Sequence, residues 1–202
     1  MSLRQNPSPE DDNGLVRAFQ AGNRSAFDRL VLHHQDRVFT TCYRILGNYE
    51  DADETAQETF VKAFRSLKRF RMESAFSTWL FRIAVNTCKN RLKSAEFRNR
   101  KRRVSTHPSE NPGGEVPGKE LRDQNPGPDD LLEKKQKARL VQRAVEALPH
   151  DQRAVIVLRD IQGFSYEEIS NITGDPLGTV KSKISRARQR VRNRLIKVLN
   201  HE

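Results

Sequence analysis

Four carboxylates crowd one short stretch of the chain, where they could hold a metal ion or dock on a basic partner. They are Asp51, Asp53, Glu54 and Glu58, with the amide of Gln57 among them. Clustered carboxylates bind Mg²⁺ in enzymes that cut or rejoin DNA, so a nuclease or recombinase is one interpretation. No His or Lys base stands out beside these residues, however. We therefore expect a binding face rather than a catalytic centre, with no metal and no cofactor.

A helix predicted from about Pro176 to Leu199 carries many cations and no acidic residue. A recognition helix enters the major groove of DNA through its N-terminal part. Lys and Arg can bond guanine there, and Ser can bond several bases. The outward positions are Lys181, Ser182, Ser185 and Arg186, with Lys183 beside them. Later cations, which include Arg188, Arg190 and Arg192, are expected to meet phosphates. The alternatives are a solvated face or a helix that lies on anionic lipid.

The residues just before this helix predict a helix-turn-helix. Ser165 and Glu168 have the spacing of a capping box, which marks the start of a short helix. Gly174 ends it, and Asp175 with Pro176 starts the next helix at once. Two helices joined by so few residues must cross steeply. The C-terminal part of the chain is therefore expected to bind duplex DNA.

Aromatic residues and cations also meet in the first half of the chain. Phe70, Phe76 and Trp79 flank a break that contains Arg71 and Ser74. A cationic run follows: Lys89, Arg91, Lys93, Arg98, Arg100, Lys101, Arg102 and Arg103. Single-stranded DNA requires this combination, because bases stack on rings while cations hold the backbone. The alternative is that Phe76 and Trp79 are core residues. Asn86 and Asn90 share a helix face and could bond base edges.

Helical periodicity covers most of the chain and predicts an all-α protein. Apolar residues recur at three- and four-residue steps in both halves, whereas strict two-residue alternation is rare. The expected division is a flexible tail over 1–13, a helical domain over 14–100, a linker over 101–130 and a second helical domain over 131–202. The linker contains repeated Pro and Gly and an excess of Asp and Glu, so it cannot form a core.

Composition limits the kinds of partner. The net charge of +11 suits a polyanion. Cys42 and Cys88 lie in apolar segments and are expected to be buried free thiols, which fits a reducing cytoplasm. The first residues have no apolar stretch typical of a signal peptide, and no apolar run is long enough to span a bilayer. An intracellular protein that binds nucleic acid is expected.

Four motifs together resemble a known family. Residues 51–60 (DADETAQETF) look like region 2.2 of extracytoplasmic-function sigma factors, and residues 76–86 (FSTWLFRIAVN) look like regions 2.3 to 2.4. Residues 165–169 (SYEEI) and 178–188, with GTVKSK and RAR, look like region 4.2. The order of the motifs matches the family along nearly the whole chain. The stretch from Trp79 to Asn90 is most similar to the sigma-E-like group.

The resemblance implies a sigma factor, which is not an enzyme. The first domain would bind the β′ clamp helices of core RNA polymerase through Asp51, Asp53, Glu54, Gln57, Glu58 and Phe60. It would capture an unstacked base of the −10 element through Phe70, Arg71, Ser74, Phe76, Trp79, Asn86, Lys89, Asn90 and Arg91. The second domain would bind the β flap and read the −35 element. An anti-sigma factor would hold the protein inactive, in a stress or envelope response.

The resemblance completes the set expected at the −35 element: Ser165, Thr179, Lys181, Ser182, Lys183, Ser185, Arg186, Arg188 and Arg190. The sequence departs from the family in this set. Ser185 replaces a bulkier residue, and Lys181 and Lys183 stand where Arg is common. Lys makes a point contact rather than a fork, so the bases read are not carried over. The main alternative is a helix-turn-helix regulator that acts without core polymerase.

Overall fold

The computed structural model describes residues 9–103 and 140–199, and each regular element in these ranges is a helix, as predicted. Most of the predicted linker, with the start of the second domain, lies outside the described residues. The helices are α1 (Pro9–Gln20), α2 (Ser25–Leu46), α3 (Tyr49–Ser66), α4 (Phe76–Arg103), α5 (140–146), α6 (His150–Ile156), α7 (Tyr166–Thr173) and α8 (Leu177–Leu199). A 3₁₀ turn (Leu67–Arg69) follows α3, and a π-helical turn (Val157–Ile161) follows α6.

The first unit packs α1 to α4 around one apolar core. Its fully buried side chains include Leu30, Ile45, Leu80 and Phe76, which come from the stripes read in the sequence. Gly47 ends α2 with a left-handed backbone, and the side chain of Asn48 caps α3 by accepting from the amide of Asp51 at 3.0 Å. Cys42 and Cys88 are buried free thiols, as predicted. A hydrogen bond with Cys42 and burial both raise the pKa of Cys88.

The N-terminal end of the first unit differs from its expected form. Helix α1 begins at Pro9, inside the segment predicted as a tail, and Asp12 is buried. One carboxylate oxygen of Asp12 lies 2.8 Å from Nε2 of the buried His34. The apolar stripe that starts at Leu15 is also broken by a turn, because Gly22 adopts a positive φ of 106° between α1 and α2. The hydrogen bond with buried His34 thus holds Asp12, and with it the start of α1, in the fold.

The second unit contains α5 to α8, and it packs directly on α2 and α4 of the first. Nε of Arg37 donates to Oε1 of Gln162 at 3.1 Å. The Arg37 guanidinium lies 5.1 Å from the ring centre of Phe81 and 5.6 Å from that of Phe164, and these two rings are 4.9 Å apart. Arg153 donates to the carbonyl of Ile45 at 2.6 Å. These contacts join the two units through buried groups.

Candidate nucleic-acid interface

The capping box places α7 at a fixed angle before α8. The hydroxyl of Ser165 accepts from the amide of Glu168 at 3.1 Å, and the amide of Ser165 donates to the Glu168 carboxylate at 2.7 Å. Gly174 ends α7 with a φ of 76°, and Ser170 Oγ donates to the carbonyl of Asp175 at 2.6 Å. These bonds close the short turn that the sequence predicted, so α8 leaves it in a defined direction.

Helix α8 presents most of its predicted DNA-reading residues to solvent. Val180, Ile184 and Ala187 are buried against the rest of the unit. The opposite side carries the exposed residues Lys181, Ser182, Ser185, Arg186, Arg188 and Arg190. Thr179 and Ser165 are half-buried, and the hydroxyl of Ser165 serves the capping box. Exposed cations and hydroxyls near a helix N-terminus form a surface that can enter a major groove.

Two of the cations on α8 are held by carboxylates of their own unit. Lys183 Nζ lies 2.8 Å from Asp175 and 3.3 Å from Asp151. Burial acts to lower the pKa of Lys183, but the hydrogen bonds with Asp175 and Asp151 outweigh it and the pKa is raised. Arg188 donates to the carboxylate of Asp160 through Nε at 3.1 Å and Nη2 at 2.5 Å. This hydrogen bonding raises the pKa of Arg188. Lys183 and Arg188 are therefore paired within the unit, and DNA phosphates would have to compete with these carboxylates.

The aromatic residues expected at single-stranded DNA form one buried cluster. Phe70 lies with its ring centre 4.8 Å from that of Trp79, and Phe76 lies 5.8 Å from Trp79. All three side chains are at most 9% exposed. The structure thus gives them a core role, which the sequence left as an alternative for Phe76 and Trp79. Because the ring faces are buried, a base at this cluster would contact the loop at 70–75 and would not stack on an exposed ring.

That loop, residues 70–75, connects the 3₁₀ turn to α4 and has an unusual backbone conformation. Met72 has a positive φ of 56°, a conformation that a residue other than Gly adopts only when its surroundings hold it. The side chain of Arg71 is 84% exposed, and Ser74 is half-buried. The side-chain amide of Gln20 donates to the carbonyls of Leu67 and Phe70 at 3.1 and 2.8 Å. The loop is consequently fixed on α1 while Arg71 points to solvent.

The polar edge of α4 separates into two parts. Asn86 and Asn90 are exposed and Lys89 is half-buried, so the two side-chain amides are accessible from solvent. Arg91 lies against the carboxylates of α3 instead. Its Nη2 lies 2.6 Å from Asp51 and also pairs with Glu54, and hydrogen bonds with Asp51 and then Glu54 raise the pKa of Arg91.

The carboxylates of α3 form an exposed acidic face. Glu54, Gln57 and Glu58 are exposed, and Asp51, Asp53 and Phe60 are half-buried. Gln57 donates to Asp53 at 2.8 Å, and Glu58 pairs with Lys62 at 2.8 Å. Among the residues that the structure describes, no group of three or more His, Cys, Asp or Glu side chains is arranged to hold a metal ion. This geometry suits docking on a basic surface.

Phe64 is a residue whose position sequence reasoning missed. It belongs to the apolar stripe of α3, yet its side chain is 42% exposed. Arg65 and Lys68, which follow it, are exposed as well. The sequence offered one signal, an aromatic residue followed closely by basic residues. The apolar periodicity of the segment nevertheless predicted that Phe64 lies in the core.

No helix of the described ranges is long and apolar enough to cross a membrane.

Comparison with known proteins gives the same picture for both units. Residues 30–98 match the family described as Sigma-70 region 2, and residues 138–191 match Sigma-70, region 4. The chain is 40% identical over 186 residues to the ECF RNA polymerase sigma-E factor of Escherichia coli, covering 91% of this chain and 94% of that protein. It is 36% identical over 182 residues to the RNA polymerase sigma-H factor of Pseudomonas aeruginosa, covering 90% and 92%.

Two solved structures extend the likeness to the fold. The first is the sigma factor RpoE in complex with the anti-sigma factor NepR from Bartonella quintana. It has a TM-score of 0.64 and 26% identity, and the match covers 85% of this chain and 97% of that one. The second is CnrH in complex with the cytosolic domain of CnrY, with a TM-score of 0.62 and 26% identity, over 95% of this chain and 99% of that one.

Proposed function

The chain belongs to the sigma-70 family, in its extracytoplasmic-function group, and on that premise we propose that it directs core RNA polymerase to specific promoters and helps to open the duplex. The observation that carries the proposal is the pairing of two surfaces in one chain. One is the exposed cationic side of α8, which projects from a capped helix-turn-helix. The other is the exposed acidic face of α3. A regulator that works alone needs the first surface but not the second.

In this proposal each surface has its own partner. The acidic face of α3 docks on the β′ clamp helices, and the second unit meets the β flap and the −35 element. The loop at 70–75 and the edge of α4 at Asn86 and Asn90 hold the opened −10 strand. The protein supplies binding energy and not chemistry. Flipping a base costs a few kcal/mol, and contacts in the pocket offset this with roughly 1–3 kcal/mol per base.

The proposed control is an anti-sigma factor acting in the cytoplasm as part of a stress or envelope response. The solved relatives support this, because RpoE of Bartonella quintana is in complex with the anti-sigma factor NepR, and CnrH is in complex with the cytosolic domain of CnrY. Both of those structures match more than four fifths of this chain.

The deciding experiment is run-off transcription with core polymerase across a library of promoter fragments. We expect the full-length chain to start transcription at specific sites, which also yields the −35 and −10 sequences. Charge reversal at Asp51 and Asp53 should abolish this activity, since both carboxylates belong to the docking face. Asp36→Lys is the matched control, because Asp36 is exposed on α2, outside that face. Normal transcription by the Asp51 and Asp53 double variant would contradict the proposal.

A gel shift separates this function from the regulator alternative. A sigma factor binds duplex promoter DNA weakly when free and tightly with core polymerase. Tight binding without polymerase, together with no run-off product, would favour the regulator.

A further inference from the structure

A pocket of about 430 Å³ opens between the α1–α2 turn and the C-terminal end of α3. Its lining consists of Phe19, Gly22, Arg24, Phe64, Arg65 and Lys68. Phe64 is the exposed aromatic of this set. It is held from below by edge contacts with Phe19 and Phe27, whose ring centres lie 5.4 and 5.1 Å away. The ring is thus fixed in place while 42% of the residue remains open to solvent.

The charges around the pocket have one sign. Arg24, Arg65 and Lys68 are its three charged lining residues, and all three are exposed. A cationic or metal ligand is therefore repelled, and an anionic one is attracted. An aromatic platform ringed by cations is the combination that binds single-stranded nucleic acid, because the ring stacks a base and the cations hold its phosphates.

The pocket adjoins, along the chain, the loop that leads into α4. Its Lys68 lies in the 3₁₀ turn that ends at Arg69, directly before Phe70. Gln20 in α1 bonds the carbonyls of Leu67 and Phe70, which fixes the start of the loop beside Lys68. Lys68 and Arg71 are three positions apart, at most about 11 Å of extended chain, so a strand that crosses the loop at Arg71 passes within reach of the pocket.

We propose that this pocket takes a further unpaired base of the opened promoter strand, separate from the base held at the loop. The base stacks on Phe64, and the adjoining phosphates lie against Arg24, Arg65 and Lys68. This inference rests on the proposed function, because the opened strand reaches the pocket only once polymerase has engaged the promoter. The acidic segment of a protein partner is the competing occupant.

The test uses holoenzyme reconstituted from core polymerase and the full-length chain. The probe is a fluorescein-labelled single-stranded oligonucleotide that carries the opened strand of a promoter found by run-off transcription. A series of probes has one abasic position each, and binding is followed by fluorescence anisotropy. Phe64→Leu keeps the apolar packing and removes the ring, whereas Phe64→Tyr keeps the ring. Leu32→Ala is the control, since Leu32 is 66% exposed on α2 and outside the pocket.

We expect Phe64→Leu to weaken binding by about 5- to 150-fold, the range for loss of one base–aromatic stack. Phe64→Tyr and Leu32→Ala should bind as the wild type does. In the wild type, one abasic position outside the loop contact should cause the same loss, and Phe64→Leu should add nothing to it. Replacing Arg65 and Lys68 by Gln should reduce the steepness of the plot of log K against log salt concentration by about 1.4. Each lost phosphate contact accounts for about 0.7 of this slope. Arg29→Gln, at an exposed site on α2, should leave it unchanged.

Three results would overturn the inference. They are equal affinity of Phe64→Leu and wild type, a loss that is uniform over every abasic probe, and intact DNA affinity combined with loss of binding to the anti-sigma factor. Thermal unfolding of each variant checks that it folds. Co-purification with core polymerase is measured separately, so that failure to form holoenzyme counts against the proposed function and not against the pocket.

Discussion

Arg91 lies between two surfaces that the sequence assigns to different partners. It was expected at the −10 element, but it bonds Asp51 and Glu54 of the acidic face. The Arg91 side chain is 29% exposed, and those of Asp51 and Glu54 are 41% and 64% exposed, so these ion pairs lie at the surface and contribute only about 0–1 kcal/mol. Loss of this pairing therefore costs little stability.

Arg186 and Arg192 allow a comparison at the level of single residues. Both are exposed on α8, but Arg186 lies near its N-terminal part and Arg192 lies beyond it. We expect Arg186→Ala to cost about 1–3 kcal/mol of discrimination at the −35 element, since it removes a contact to a base edge. Arg192→Ala should weaken binding to all duplexes alike, because it removes a phosphate contact.

The measurement is holoenzyme binding to duplexes with single substitutions in the −35 element, at several salt concentrations. If both variants lose only affinity that is independent of sequence, the orientation assigned to α8 is wrong.

At the level of elements, the start of α7 depends on one side chain. The hydroxyl of Ser165 satisfies an amide that the helix leaves unpaired. We expect Ser165→Ala to lower the free energy of unfolding by about 0.5–2 kcal/mol, measured by urea denaturation. Ser165→Asp should recover most of the loss, because Asp also caps helices.

The same pair of variants separates capping from DNA contact. Ser165→Asp places a carboxylate beside the phosphates, so it should weaken −35 binding while the fold stays stable. Recovery of both stability and DNA affinity by Ser165→Asp would show that Ser165 acts through the cap alone. Ser182→Ala, at an exposed position on α8, is the stability control.

Element boundaries followed the sequence where a local signal fixed them. The capping box at Ser165 and the helix end at Gly174 appear where they were predicted. The start of the last helix was predicted one residue early, at about Pro176, since α8 begins at Leu177. These features depend on neighbours within four residues, which a sequence displays directly.

Features that depend on distant neighbours were not predictable. Arg37 lies within an apolar stripe, and its partner Gln162 is 125 residues away. The widened turn at Val157–Ile161 has no composition signal, although it delivers Gln162 to that contact. Phe64 carries the apolar periodicity of a core residue, and only the structure shows that its ring contacts Phe19 and Phe27 on one side while 42% of the residue stays exposed.

At the scale of the whole molecule, the two units are joined by buried polar groups and not by apolar contact alone. Burial lowers the pKa of Arg37 and of Arg153, yet an Arg guanidinium remains charged. Gln162 accepts from Arg37, and the carbonyl of Ile45 in the first unit accepts from Arg153, which also bonds the carbonyl of Leu148 in its own unit at 3.2 Å. These bonds favour one relative orientation, because a displaced unit loses the acceptor that the other unit supplies.

We expect Arg37→Ala to loosen this arrangement. It removes the cation beside the rings of Phe81 and Phe164 and a hydrogen bond to Gln162, together about 1–3 kcal/mol. The radius of gyration from small-angle X-ray scattering should increase, and Gln162→Ala should cause a smaller increase. Arg29→Ala is the control on the same helix. An unchanged radius for Arg37→Ala would mean that other contacts determine the arrangement.

The contact of Arg37 with Gln162 also bears on inheritance. Residues 125 positions apart depend on each other, so the gene cannot be cut at the linker and rejoined to another family member without cost. In a chimera, the first unit of this chain would pack on the second unit of another family member. Arg37 would then lie against a surface that has not been matched to it, in place of Gln162 and Phe164.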